Sequence, residues 1–143
     1  PSQATVIFEL IKTKQFMKKY PIEKLHDLPK MNDPSLEILL KMLLRLVPHA
    51  YLESLYLPLI IFRLVKASCL YGVCSSTPSA FALYGLILAG ALGDLKGGYD
   101  YAMCAMDLLE QIEDKTDFSF TCLVVSTFFC NECMRLIETK YIQ

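Results

Sequence analysis

The sequence predicts an all-α domain of antiparallel helical hairpins, about five to seven helices in all. Three observations predict it. Apolar residues recur at three- and four-residue spacing along most of the chain, helix start and stop signals punctuate it at short intervals, and no strand alternation is sustained between turn dipeptides. With 143 residues, 54% of them hydrophobic and 20% charged, the chain suffices for a single domain, 1–143, with a real core, and its composition excludes disorder.

From about Ala4 to Tyr20, Val6, Ile7, Leu10, Ile11 and Met17 form one stripe with lysines opposite, the pattern of an amphipathic helix. Pro21 to Leu25 predicts a short helical turn, and Leu28-Pro29-Lys30-Met31 an extended connector, because the residue before proline avoids the helical region. Asp33-Pro34 reads as an N-cap followed by proline in the first turn, opening a helix with Leu36, Leu39, Leu40, Leu43, Leu44 and Val47 inward and an end near Pro48. A short irregular or helical piece around Tyr51-Leu52-Glu53 precedes an apolar helix from Leu57 to Tyr71, closed by Gly72. Ser75 to Ser79 reads as a polar interhelix loop, with Thr77 as N-cap and Pro78 at the first position of a helix to Leu92. That helix carries Ser79 and Tyr84 as its only polar side chains, so it should be the most buried element. Gly93 ends it, and Asp94 caps a helix to about Ile112, with Ala102, Ala105, Leu108, Leu109 and Ile112 inward. A polar break at Glu113 to Asp117 leads to a last helix, Phe118 to Ile142, striped by Cys122, Val125, Phe129, Cys133, Leu136 and Ile137.

The hairpin over 78–112 has small residues along both arms. Gly85 and Gly90 on the first, Gly93 and Gly98 about the turn, and Ala102 and Ala105 on the second let two backbones approach closely, with Tyr99 as an aromatic wedge. This spacing resembles that of tetratricopeptide hairpins and predicts a tetratricopeptide-like solenoid fragment, although no second copy of Gly-x-x-x-Gly-Tyr-x-x-Ala occurs to make a regular repeat.

Charge excludes some functions. A formal charge of −1 supplies no field for a polyanion, so no nucleic-acid partner is expected. The six lysines of residues 1–30 face three acids, whereas residues 67–143 hold four basic groups against nine acidic ones, an asymmetry suited to solvated helix faces or to docking on an acidic neighbour. Residues 67–93 contain no charge, but the 75–79 cluster divides them into pieces too short to span a bilayer, and no membrane insertion is expected. The chain opens at Pro1 without an initiating Met, which suggests an excised segment of a longer, cytoplasmic protein.

Catalytic patterns are few. Gly93-Asp94-Leu95-Lys96-Gly97-Gly98 has phosphate-loop-like glycines, yet Tyr99-Asp100 follows where Lys-Ser or Lys-Thr is needed. His26 and His49 lie in different segments and read as surface or loop histidines, and the carboxylates of 107–117 as a solvated face. Of six cysteines, Cys130 and Cys133 form a CxxC within a helical pattern. They read as free thiols, with a small redox or metal-binding helical protein as the alternative. The chain is therefore expected to be noncatalytic and to need no cofactor. Tyr84, Asp100 and Tyr101 are the candidate contacts for a partner peptide.

The runs Tyr71-Gly72, Ser79-Ala80-Phe81-Ala82-Leu83-Tyr84-Gly85-Leu86-Ile87-Leu88-Ala89-Gly90, Gly93-Asp94, Gly98-Tyr99 and Leu108-Leu109-Glu110, with Leu28-Pro29-Lys30-Met31-Asn32-Asp33-Pro34 upstream, resemble the helical segment of large multidomain signalling ATPases. In that family a serine/threonine-kinase-like domain and an AAA or STAND-like ATPase precede the segment, and GAF and histidine-kinase modules often follow. The resemblance covers most of residues 9–112; the chain departs from it at Lys30, where an acid is expected, and at Val73 and Cys74, where polar residues are. It implies a scaffold coupling an ATPase switch to a signalling output, with protein partners: neighbouring domains of the same chain or a separate signalling protein.

Overall fold

The computed structural model describes residues 1–50 and 55–141, with side chains throughout these ranges except at 132–137, 140 and 141. Seven helices account for most of them: α1 (Gln3–Met17), α2 (Ile22–Leu25), α3 (Pro34–Ala50), α4 (Tyr56–Tyr71), α5 (Thr77–Leu92), α6 (Leu95–Gln111) and α7 (Phe118–Tyr141). The piece around 51–53 lies outside the described residues.

Capping explains several of the boundaries. The Ser2 hydroxyl accepts from the Thr5 amide at 3.3 Å, Asp33 Oδ1 from the amides of Ser35 and Leu36 at 3.0 and 3.2 Å, and Asp94 Oδ1 from Gly97 at 2.9 Å. Gly93 ends α5 in the left-handed conformation, φ 66°. Pro48 does not end α3; it sits inside the last turn, and the helix continues to Ala50.

The core is centred on α5. This helix lies against α4, α6 and α7, and its interface with α6 is the most extensive in the molecule. The two-residue link Gly93-Asp94 forces α5 and α6 into an antiparallel hairpin. A Cβ on Gly85 would stand 2.7 Å from the Gly98 carbonyl oxygen, and one on Gly98 would stand 2.8 Å from that of Gly85, so this crossing admits no side chain on either helix. Ala102 and Ala105 are buried on the same face of α6 as Gly98. Gly90 is elsewhere: it is exposed, with open space around its missing Cβ. Tyr99 is 46% exposed and meets Phe129 edge-on at 6.0 Å, so it ties α6 to α7 and does not wedge the α5–α6 turn.

Both α1 and α3 pack on α4. Because α1 has one main neighbour, its buried line is Leu10, Thr13 and Met17, and the expected inward positions Ile7 and Ile11 are 57% and 52% exposed. On α3, Leu40, Leu44 and Val47 are buried, while Leu39 turns outward, 50% exposed. On α7 the buried positions are Thr121, Val124, Val125 and Phe128. Of the stripe expected there, Val125 is buried, Cys122 half-buried and Phe129 38% exposed; the side chains of Cys133, Leu136 and Ile137 lie outside those described.

The 75–79 segment is the largest departure from expectation. It is not a solvated loop: Ser75, Ser76, Thr77 and Ser79 are all buried, and α5 begins at Thr77. Thr77 Oγ1 accepts from the Cys74 amide at 3.0 Å and pairs with Ser68 of α4 at 3.0 Å, so it caps the turn preceding α5 and not α5 itself. Ser79 pairs with Thr121 of α7 at 2.7 Å, and Ser76 donates to Asp117 at 3.5 Å. Hydroxyls thus join α4, α5 and α7 where apolar packing would be ordinary.

Candidate functional site

The predicted peptide contacts do not form a surface. Tyr84 is 1% exposed and Tyr101 9%, and their rings meet edge-on at 4.9 Å, with Phe62 packed against Tyr84 and Phe81 against Tyr101. Burial pushes the Tyr84 hydroxyl up to about 12 and raises that of Tyr101 as well. Only Asp100 of the three reaches solvent, and it is half-buried. Tyrosine at helical spacing carries the same sequence signature whether its ring faces a ligand or the core; the Gly85–Gly98 contact, which draws α6 onto α5, puts both rings inside.

A concave site lies elsewhere. The 28–31 connector is pinned to the turn after α4 by a parallel bridge between Lys30 and Val73: the Met31 amide donates to the Val73 carbonyl at 2.9 Å and the Val73 amide to that of Pro29 at 2.8 Å. Gly72 makes this approach possible. Its φ is 107°, and a Cβ there would stand 2.6 Å from the Pro29 oxygen. Between this bridge, the first turn of α3 and the C-terminal end of α6 lies a cavity of about 390 Å³.

Leu28, Met31, Val73, Leu108 and Ile112 give the cavity an apolar floor, and its polar lining includes His26, Lys30, Glu37, Ser75, Glu113 and Asp114. Lys41 organises one side, bonding Asp114 at 3.0 Å and Glu37 at 3.4 Å. The Thr116 hydroxyl and amide, with Lys41, hold the Asp114 carboxyl well below the usual carboxylate range, and Asp114 in turn raises the Lys41 ammonium. Lys115 caps the carbonyls of Leu109 and Glu110, fixing the end of α6. Ser75, 3% exposed, has the one buried side-chain oxygen without a hydrogen-bond partner among the described residues. An unmade hydrogen bond of this kind costs about 1–3 kcal/mol, and every other hydroxyl of the 75–79 cluster avoids it.

His26 Nε2 approaches Asp107 at 3.9 Å, while Cys74 Sγ receives the Thr77 hydroxyl at 3.7 Å, and no hydrogen bond joins the cysteine to the histidine among the described residues. Sequence reasoning set His26 aside and did not find the cavity. Its walls come from segments more than 80 residues apart, and the only local signal was Gly72 beside an extended Leu-Pro connector.

The cysteines separate by environment. Cys69, Cys74 and Cys104 are buried, and burial pushes the thiols of Cys69 and Cys104 up to about 12. Cys130 is exposed; the side chain of Cys133 lies outside those described, so the geometry of the CxxC does too. Among the described residues no three His, Cys, Asp or Glu side chains group to hold a metal ion, and no helix is long and apolar enough to cross a membrane.

Comparison of the chain with protein-family models, curated proteins and solved structures gives no match.

Proposed function

We propose that this chain is a noncatalytic helical scaffold that docks another protein, and that in its parent molecule it couples an ATPase switch to a signalling output. One observation carries the docking reading. Ile38, Leu39, Met42 and Leu46 share one face of α3 and are 57%, 50%, 63% and 49% exposed, while Leu40, Leu44 and Val47 on the opposite face are buried against the rest of the fold. A helix apolar on both sides is suited to two neighbours, and α4 supplies one. The fitting partner is a protein presenting an amphipathic helix whose apolar stripe covers the outer face of α3. The ATPase coupling rests on the resemblance of residues 9–112 to the helical segment of signalling ATPases, and a cytoplasmic location is in keeping with the free buried thiols.

A photo-crosslinking side chain placed at Met42 of the parent protein tests this in cells. Protein adducts should form there and be absent when the same group replaces Gly90, which is exposed on α5. Equal yields at the two positions, or none at Met42, would overturn the reading.

A further inference from the structure

We infer that the exposed strip of α1 docks on the exposed strip of α6 of a second copy of this chain. The contact is separate from the outer face of α3 and does not depend on the docking reading. On α1 the strip begins with Ile7, Phe8 and Ile11, exposed although large and apolar. One turn further on it becomes basic, with Lys14, Lys18 and Lys19 exposed and without a carboxylate in ion-pair reach among the described residues. On α6 the strip begins with Leu95, Tyr99 and Met103, again exposed, and then becomes acidic at Asp107 and Glu110. Exposed apolar patches of this kind mark interaction surfaces, and each strip carries the charge that the other lacks.

The spacing decides the register. Ile7 and Lys18 are eleven residues apart, and so are Tyr99 and Glu110, about 16 Å along either helix. Laid parallel, the strips meet in step: Ile7 and Phe8 against Tyr99, Ile11 against Met103, Lys14 and Gln15 against Asp107, and Lys18 against Glu110. An antiparallel arrangement would set the lysines on Tyr99 and Lys96 and the carboxylates on Ile7 and Phe8, so the charges fix the direction. Lys96 stands opposite Ala4 in the parallel register, and its stem can carry the ammonium past that small residue into water. Asp107 is approached by His26 Nε2 at 3.9 Å yet keeps 54% of its side chain exposed, so it stays open to a second cation. The whole chain carries a formal charge of −1, which leaves little long-range repulsion between copies. An anionic bilayer would engage the α1 strip alone, whereas a second copy uses both.

Sedimentation velocity of the full chain at rising concentration, up to about tenfold above the expected Kd, tests this. A single pair of helices is a small interface, so the association should be weak, with a Kd on the order of 100 µM, and it should weaken further as salt rises from about 0.02 to about 0.5 M. Lys14→Glu with Lys18→Glu should weaken it about tenfold or more, and so should Asp107→Lys with Glu110→Lys, all four positions being exposed. Mixing the two charge-reversed variants should restore association, because the intact basic strip of one then meets the intact acidic strip of the other and the two reversed strips also match. Ile38→Lys with Met42→Lys, on the outer face of α3, should leave it unchanged. A chain that stays monomeric throughout, whether or not it binds vesicles containing phosphatidylserine, would overturn the inference. So would association indifferent to either charge reversal, failure of the mixed variants to associate, or loss of association with the α3 pair.

Discussion

Gly85 and Gly90 stand five positions apart on one helix and obey different physics. At Gly85 a methyl group would press on the Gly98 carbonyl and on Tyr101 Cβ, which lie 2.7 and 3.2 Å from the position it would occupy, whereas at Gly90 it would meet nothing within 4 Å. Gly85→Ala should therefore destabilise the fold by about 1–3 kcal/mol through overpacking. Gly90→Ala should stabilise it by about 0.5–1 kcal/mol, because alanine loses less backbone freedom in a helix. Urea unfolding of the two variants checks both signs. The sequence marked both as seam glycines; it could not separate them, since the separation depends on where α6 crosses α5. The thiols offer a second comparison. In a native titration at neutral pH, Cys130 should be modified rapidly, and Cys69, Cys74 and Cys104 only after unfolding, because burial raises the thiols of Cys69 and Cys104 and encloses all three. Native-state labelling of Cys69 or Cys104 at the rate of Cys130 would contradict the packing around α5.

Helices with a local signal were legible one by one: Asp33 and Asp94 cap α3 and α6, and Gly72 and Gly93 end α4 and α5. The direction in which an apolar residue faces was less legible, since it is decided by the number of neighbours. On α1, which packs mainly on α4, Ile7 and Ile11 are left outside, and on α3 Leu39 is. The start of α5 misled for a different reason. Ser, Thr and Pro in a row resemble a solvated turn, but here Thr77 finds a partner on α4, Ser79 one on α7 and Ser76 one at Asp117 just before α7, and the cluster is affordable inside. Asp117, 3% exposed at the start of α7, belongs to this cluster and also meets Arg45 at 3.2 Å. Burial, opposed by Arg45, leaves its carboxyl raised above the ordinary 3.8. The folded chain therefore takes up this proton at a higher pH than the unfolded chain does, so as pH falls from neutrality through the folded value toward 3.8 this group adds stability, and the gain is fully present, without further increase, below 3.8. Relative to Asp117→Asn, the native protein should gain stability over that window in urea titrations; a relative loss would mean that the Arg45 pair outweighs burial.

Across the whole molecule, the all-helical class was legible because helix periodicity and punctuation are local properties. The cavity was not, since His26, Glu37, Ser75 and Glu113 are brought together only by the packing of the connector on the turn after α4. The α5–α6 hairpin and its hydroxyl links to α4 and α7 make a closed core, and Ile38, Leu39, Met42 and Leu46 on the outer face of α3 lie outside it. That division predicts that stability and docking are separable. Ile38→Lys with Met42→Lys alters positions 57% and 63% exposed, so each change should shift stability by no more than about 0.5 kcal/mol. The most direct measurement is the sedimentation of this chain together with the protein proposed to dock on α3, with and without this pair of substitutions. We predict loss of a protein component from the complex, with helical circular dichroism and thermal midpoint of the chain preserved; an unchanged complex would contradict the account.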